Sequence, residues 1–98
     1  MLTTAQIQAI VADYFKDKPV KKVYLFGSYA RGDADEKSDV DLSFVLNEDA
    51  AMSYFTLAGY LMDLEAKLKK KIDLVEDKMI FEQIKPYIEP YKILITDQ

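Results

Sequence analysis

The sequence contains no cysteine and no histidine among its 98 residues. Without cysteine there can be no disulfide framework, no thiolate metal site and no cysteine nucleophile. Without histidine there can be neither a Ser–His–Asp triad nor an imidazole general base. Carboxylates therefore remain as the main candidates for catalysis, and they favour hard cations such as Mg²⁺.

Positive charge and long apolar runs are also scarce. Lys and Arg number 13 against 17 Asp and Glu, which gives a net charge of −4. We expect no direct binding to nucleic acid, because such binding needs a basic face. No apolar run approaches the length of a membrane span, and the first residues do not resemble a signal peptide. We therefore expect a cytoplasmic protein with no membrane partner.

The apolar pattern predicts a single α/β domain over residues 1–98, with the element order α-β-β-α-β-α-β. The predicted strands lie at residues 22–26, 40–46, 72–75 and 91–96. The last strand is expected at an edge of the sheet, and the third is expected to be buried.

Three helices are predicted between and before these strands. Thr3 fits the N-cap of a capping box and begins the first helix. The longest helix is predicted at 50–70 with Asp49 as its N-cap. A short helix is predicted at 78–84, which Pro86 breaks or restarts.

The first candidate site is the turn that follows the strand at 22–26. Gly27 and Ser28 come directly after that strand and are followed by Ala30-Arg31-Gly32. Glycine at such a turn lets the backbone approach a ligand, and the N–H groups of the next helix can face an anion. The Ser28 hydroxyl can add a bond to a phosphate oxygen. The alternative is an ordinary turn without a ligand.

The second candidate site is the pair Asp39 and Asp41 at the start of the second strand. Carboxylates at i and i+2 lie on one face of a strand, about 6.5–7 Å apart at the backbone. That spacing suits two metal ions about 3.5–4 Å apart, as in two-metal phosphoryl-transfer sites. The alternative is a solvated acidic pair.

The third candidate is Asp73, which lies between Ile72 and Leu74 in the third strand. A carboxylate in a buried strand needs a partner, and a metal site would supply one. The alternatives are a surface edge or a salt bridge to a nearby lysine. Together, Asp39, Asp41 and Asp73 could hold two Mg²⁺ ions, and Asp73 could accept the proton of an attacking hydroxyl.

The combined pattern resembles the minimal nucleotidyltransferases of the DNA polymerase β superfamily. Residues 25–32, Leu-Phe-Gly-Ser-Tyr-Ala-Arg-Gly, and 38–42, Ser-Asp-Val-Asp-Leu, are similar to the two parts of its signature, and Asp73 corresponds to its third carboxylate. The resemblance covers essentially the whole chain. It implies a small mixed sheet flanked by helices, metal ligation by the three aspartates, and triphosphate binding by Gly27 and Ser28. Arg31 would brace the turn or approach phosphate.

The resemblance also implies a partner and a reaction. Many stand-alone domains of this type act as antitoxins beside a HEPN-domain RNase toxin. In characterised cases they transfer AMP from ATP to a tyrosine of that toxin. We therefore expect a Mg²⁺-dependent protein adenylyltransferase that uses ATP and acts on a HEPN-domain toxin.

Two other functions remain open on the sequence alone. The chain could neutralise a partner by occlusion, with Tyr54, Tyr87 and Tyr91 as a contact patch. We expect instead that these tyrosines fill the edge of the core. The chain could also be a subunit of an antibiotic nucleotidyltransferase, which would need a second subunit to complete the acceptor pocket.

Overall fold

A computed structural model describes residues 1–98. The helices are α1 (Thr4–Phe15), α2 (Gly27–Arg31), α3 (Tyr54–Leu68) and α4 (Lys85–Ile88), and a 3₁₀ helix lies at Asp77–Met79. The strands are β1 (Val20–Phe26), β2 (Val40–Leu46), β3 (Ile72–Glu76) and β4 (Ile93–Asp97). The predicted order of the larger elements is confirmed.

The four strands form one mixed sheet in the order β3-β2-β1-β4. β1 is antiparallel to both β2 and β4, whereas β2 and β3 are parallel. A parallel pair needs a long crossover, and α3 provides it between β2 and β3. The predicted edge position of β4 is confirmed, and β3 forms the other edge.

Only one face of the sheet is covered by the long helices. Alternate strand residues point into the core, so Val23, Leu25 and Leu42 are fully buried. On the helix side, Val11 of α1 and Leu64 of α3 are also fully buried. The residues between them along each strand lie on the opposite face, which we call the open face.

The helix ends agree with the sequence at α1 but not at α3. Thr3 forms the predicted capping box with Gln6. The N-cap of α3 is Ser53, whose side chain accepts a bond from the Thr56 backbone at 3.1 Å, so the prediction of Asp49 is wrong. The residues after β2 form a turn instead, in which the Ala50 backbone donates to Asn47 at 2.9 Å. No helix is both long and apolar enough to cross a membrane.

The predicted helix at 78–84 is also wrong. The chain forms the short 3₁₀ helix Asp77–Met79 and then turns until α4 begins at Lys85. Pro86 lies in the first turn of α4, where its missing N–H costs nothing and its fixed φ favours helix formation. The proline therefore begins this helix instead of ending the one before it.

Candidate active site

Three side chains lie in one row across the open face of the sheet. Asp41 of β2 is the register partner of Phe26 in β1 and of Asp73 in β3. Neighbouring strands are about 4.8 Å apart, so the two carboxylates project from adjacent positions. The structure therefore brings Asp41 and Asp73 together, although 31 residues separate them in the sequence.

Asp39 lies directly before β2 and is exposed. It stands two positions before Asp41, so the extended chain directs both side chains to the same face. The strand β2 begins at Val40, which is consistent with the prediction that Asp39 and Asp41 lie on one face.

Asp73 is an exposed residue between two buried apolar residues of β3. Its neighbours Ile72 and Leu74 are 3% and 8% exposed, but Asp73 itself is exposed. Because β3 is an edge strand with one open face, the structure favours the surface edge, which the sequence left open as an alternative for Asp73. Asp73 also forms no salt bridge with any lysine. Its carboxylate therefore faces solvent at the edge of the site.

Gly27 and Ser28 begin the short helix α2, beside Asp41. Gly27 has a φ of 72°, in the left-handed region that favours glycine. A β-carbon at this position would overlap the Oδ2 atom of Asp41. The turn thus lies against the carboxylate that occupies the centre of the row. Gly32, with a φ of 87°, ends α2 as its C-cap.

Arg31 is the last residue of α2 and is exposed. Its Nε atom lies 3.3 Å from Oδ2 of Asp33, so in this structure it braces the turn that follows α2. Its positive charge also lowers the pKa of Asp41. Arg31 is therefore close enough to act on the charge of the site.

The site is short of positive charge. Burial, followed by the charges of Asp73 and Asp39, raises the pKa of Asp41 to about 6, although Arg31 works in the opposite direction. An ordinary aspartate has a pKa of 3.8. Ionised carboxylates that repel one another in this way are stabilised by a cation between them.

The donor set of the three aspartates fits a hard divalent cation. All the donors are carboxylate oxygens, which Mg²⁺ prefers over nitrogen and sulfur ligands. No group of three acidic residues is close enough to form a complete metal cage. Mg²⁺ is commonly held by one or two carboxylates together with substrate phosphates, so an incomplete protein cage fits a cation that arrives with a triphosphate.

A second polar cluster on the open face was not predicted from the sequence. Ser43 is fully buried and its hydroxyl donates to Oδ1 of Asp77 at 3.0 Å. The same oxygen lies 2.7 Å from Nζ of Lys92, which also lies 4.1 Å from the centroid of the Tyr24 ring. These groups are far apart in the sequence, and only the alternation of β2 indicated that Ser43 shares the face of Asp41.

The expectation that three tyrosines fill the edge of the core is wrong. Tyr54, Tyr87 and Tyr91 are 89%, 76% and 51% exposed. Tyr54 precedes the core-facing residues of α3, and Tyr87 projects from the four-residue helix α4, which has no buried residues. These aromatic side chains are therefore available for contact with another molecule.

The chain belongs to the polymerase beta nucleotidyltransferase family, whose model it matches over residues 6–97. It is 36% identical over 93 residues to a protein of Methanocaldococcus jannaschii that is provisionally named a protein adenylyltransferase, covering 91% of this chain and 90% of that protein. It is also 36% identical over 80 residues to the protein adenylyltransferase MntA of Thermococcus cleftensis, covering 76% of this chain and 79% of MntA. The chain is thus a nucleotidyltransferase with protein adenylyltransferases among its relatives.

Solved structures share the fold. A minimal nucleotidyltransferase structure superposes with a TM-score of 0.71 at 26% identity, covering 88% of this chain and 86% of that one. A chain of a toxin–antitoxin complex with AMP-PNP gives a TM-score of 0.77 at 17% identity, covering 93% of this chain and 73% of that one. A chain from the complex of the tri-AMPylated Shewanella oneidensis HEPN toxin with its MNT antitoxin gives 0.71 at 14% identity, covering 96% and 72%. The predicted small mixed sheet flanked by helices is confirmed.

Proposed function

We propose that this chain, acting as a single cytoplasmic domain, transfers AMP from ATP to a tyrosine of a HEPN-domain toxin and so acts as an antitoxin. The observation that carries the proposal is the row of Asp41 and Asp73 on the open face, with the Gly27 turn packed against Asp41. Identity of 36% to the protein adenylyltransferase MntA of Thermococcus cleftensis supports the AMP transfer.

Each site residue has a distinct role in the proposal. Asp39, Asp41 and Asp73 hold two Mg²⁺ ions together with the phosphates of ATP. The backbone of Gly27 and the hydroxyl of Ser28 bind the triphosphate, since N–H groups at a helix start favour anions. Arg31 steadies the turn through Asp33 and adds positive charge beside the phosphates. When bound, Mg²⁺ neutralises negative charge on the phosphates and so favours attack on the α-phosphorus.

The reaction requires one proton transfer. The acceptor hydroxyl attacks the α-phosphorus, the bond to the bridging oxygen breaks, and pyrophosphate leaves with that electron pair. The chain has no histidine to accept the proton of the hydroxyl. Asp73 is an exposed carboxylate at the edge of the row, where an incoming hydroxyl can reach it. We assign proton acceptance to Asp73 on this basis.

A structural neighbour and the surface of the chain both support a HEPN-domain toxin as the partner. A structural neighbour at 14% identity is an antitoxin in complex with an AMPylated HEPN toxin. In this chain, Tyr54 and Tyr87 are exposed by more than 75% and offer aromatic contact area of the kind enriched at protein interfaces. The net charge of −4 disfavours an RNA acceptor and so also supports a protein acceptor.

Intact-mass spectrometry of the partner tests the proposal. The chain is co-expressed with the product of its neighbouring gene, and that product is purified and weighed. We expect additions of AMP with the wild type, none with Asp39→Asn or Asp41→Asn, and unchanged additions with Asp49→Asn. Asp49 is a suitable control because it is an exposed aspartate in the turn after β2.

The same experiment separates catalysis from occlusion. If the Asp39→Asn and Asp41→Asn variants neutralise the partner as well as the wild type does, without any mass change, the chain acts by covering its partner. If the wild type modifies an aminoglycoside or another small molecule but never the partner, the acceptor is not a protein.

A further inference from the structure

An apolar cavity of about 220 Å³ adjoins the row of carboxylates on the open face. Phe26 and Val75 contribute to its wall from β1 and β3, and Asp73 lies at its border. Phe26 is in the same row as Asp73, and Val75 follows Asp73 by two residues, so all three side chains lie on the open face. The cavity is therefore continuous with the candidate active site.

The opposite wall comes from the segment between β3 and β4. Met79 ends the 3₁₀ helix, and Ile80 and Phe81 follow it. Ile84 lies directly before α4, and Ile88 is the last residue of α4. Met79 and Phe81 are 69% and 73% exposed, so the cavity opens to solvent between large apolar side chains. A side chain of another protein can enter through such an opening, while its neighbours contact the exposed rim.

The size of the cavity matches one aromatic ring. A cavity of about 150 Å³ holds one benzene molecule, and pockets for drug-sized ligands start at about 300 Å³. A volume of about 220 Å³ therefore accepts a phenol ring with some space remaining and is smaller than a pocket for a drug-sized ligand.

The chemistry of the lining also favours the phenol ring of a tyrosine over a purine base. Asp73 is the only polar residue among the eight that line the cavity. A purine base has several donors and acceptors around its edge, and each one buried without a partner costs about 1–3 kcal/mol. A tyrosine side chain is apolar except for one hydroxyl, so it needs one polar partner at one end.

We infer that this cavity is the acceptor subsite, and that it binds the side chain of the tyrosine that receives AMP, with the ring against Phe26, Val75 and Ile84 and the hydroxyl at Asp73. The inference rests on the proposed function and specifies its acceptor site. It also assigns the segment 79–88 a part in acceptor recognition.

In this arrangement the tyrosine oxygen reaches the α-phosphorus from the side of Asp73. The new bond joins the tyrosine oxygen to phosphorus, the bond to the bridging oxygen breaks, and pyrophosphate departs with that electron pair. The phenolic proton passes to the carboxylate of Asp73 and then to water. Nucleotide and acceptor therefore occupy different parts of the open face.

Binding can be measured without any transfer. We suggest titrating the full chain, without ATP or metal, with N-acetyl-tyrosinamide while recording the methyl NMR signals of the isoleucines. Ile84 and Ile88 should shift, and Ile7, which is fully buried in the core, should not. Adenosine in the same titration should leave Ile84 and Ile88 unchanged. Shifts with adenosine alone, or with neither compound, would overturn the inference.

A filled cavity should affect the acceptor and not the nucleotide. Ile84→Trp places a larger side chain in the cavity, and Leu94→Trp is its control, since the two wild-type side chains are 44% and 47% exposed. We expect Ile84→Trp to raise KM for a tyrosine peptide by about tenfold or more, because a ring loses its buried contacts. The Kd for an ATP analogue should stay within about twofold of wild type.

A second pair of variants guards against misfolding. Phe81→Ala and Phe55→Ala both remove an exposed phenylalanine, of which only Phe81 lines the cavity. Phe81→Ala should raise KM for the peptide, and Phe55→Ala should not. If AMP transfer to tyrosine is normal in both Ile84→Trp and Phe81→Ala, the subsite inference is wrong and the proposed function stands. If the wild type binds N-acetyl-tyrosinamide but transfers no AMP, the proposed function is wrong.

Discussion

The backbone of Gly27 packs so closely against the carboxylate of Asp41 that a β-carbon at position 27 would overlap Oδ2 of Asp41. The contact joins the end of β1 to Asp41 of β2, the middle residue of the row that also contains Phe26 and Asp73. Glycine suits this turn for two reasons. The φ of 72° favours glycine, and the carboxylate of Asp41 occupies the space that a β-carbon would need. The turn and this row therefore form one structural unit.

We predict that Gly27→Ala abolishes nucleotidyl transfer. The added methyl group must displace the Asp41 carboxylate, and the left-handed backbone costs about 1–2 kcal/mol more. Gly32→Ala is the matched control, because Gly32 has a φ of 87° but no atom within 4 Å of its added β-carbon. It should lose a similar amount of stability and keep its activity. Equal loss of activity in the two variants would show that strain alone is responsible.

We predict that Asp41→Asn stabilises the ligand-free chain at neutral and alkaline pH. Burial and the charges of Asp73 and Asp39 raise the pKa of Asp41 from 3.8 to about 6 in the folded state. A raised folded pKa gives a stability contribution that is complete below the unfolded pKa and is lost as the pH rises through about 6. The ionised carboxylate therefore lowers stability above that pH, and asparagine removes the cost.

Thermal unfolding across this pH range tests the prediction. Without metal and nucleotide, the Tm of Asp41→Asn should exceed that of wild type at about pH 8, and the difference should shrink towards about pH 4. Asp49→Asn, in the exposed turn after β2, should show no such trend. If the difference in Tm between Asp41→Asn and wild type were constant with pH, the ionised carboxylate of Asp41 would not be the cause of the lower stability.

We predict that the ion pair of Lys92 and Asp77 contributes measurably to stability. Their side chains are 8% and 24% exposed and lie 2.7 Å apart. Burial alone lowers the pKa of Lys92, but the hydrogen bond and charge of Asp77, with help from Glu89, outweigh burial and raise the pKa. The pair should therefore persist until the pH rises above the ordinary pKa of lysine.

Urea denaturation measures this contribution. Asp77→Ala leaves the largely buried amine with Glu89 as its remaining partner and should cost about 2–3 kcal/mol, somewhat less than a fully buried pair. Glu82→Ala breaks the exposed pair of Glu82 and Lys85 and should cost less than about 0.5 kcal/mol. Equal losses of unfolding free energy in Asp77→Ala and Glu82→Ala would mean that the ion pair of Lys92 and Asp77 does not hold the segment after β3 against the sheet.

We predict that the hydroxyl of Tyr14 contributes to stability and that the side chain of Tyr54 does not. Tyr14 is 8% exposed and its hydroxyl donates to Asp63 at 2.6 Å, so Tyr14→Phe should cost about 1 kcal/mol of stability. Tyr54 is 89% exposed, so Tyr54→Ser should change stability by less than about 0.5 kcal/mol. Chemical denaturation measures both changes in stability. A large loss of stability in Tyr54→Ser would show that the side chain of Tyr54 is packed and not exposed.

Local signals in the sequence predicted the elements that depend on local physics. The capping box at Thr3 and the strand at residues 40–46 require only neighbouring residues, and both are confirmed. The N-cap of α3 was assigned to the wrong residue because both Asp49 and Ser53 are good N-caps and only the turn at Asn47 decides between them. Pro86 was ambiguous for a similar reason, since proline is compatible with a helix start as well as a helix end.

The parts that could not be predicted depend on contacts between distant residues. The sequence suggested Asp73 as a site residue, but its exposure follows from the edge position of β3, which is a property of the whole sheet. The Ser43–Asp77–Lys92 cluster joins three separate segments and leaves no local pattern. The cavity beside Asp73 likewise arises only when the segment 79–88 lies next to the open face.

In the proposed reaction, the row of Asp41 and Asp73 directs transfer of the α-phosphate of ATP, as AMP, to a protein. The most direct measurement incubates the purified chain and its HEPN-domain partner with Mg²⁺ and ATP labelled at either the α- or the γ-phosphate. We expect the partner to acquire the α-label and the γ-label to be released in pyrophosphate. We also expect Asp41→Asn to abolish the transfer. Labelling of the partner from the γ-phosphate, or α-labelling that Asp41→Asn leaves intact, would contradict the proposed reaction.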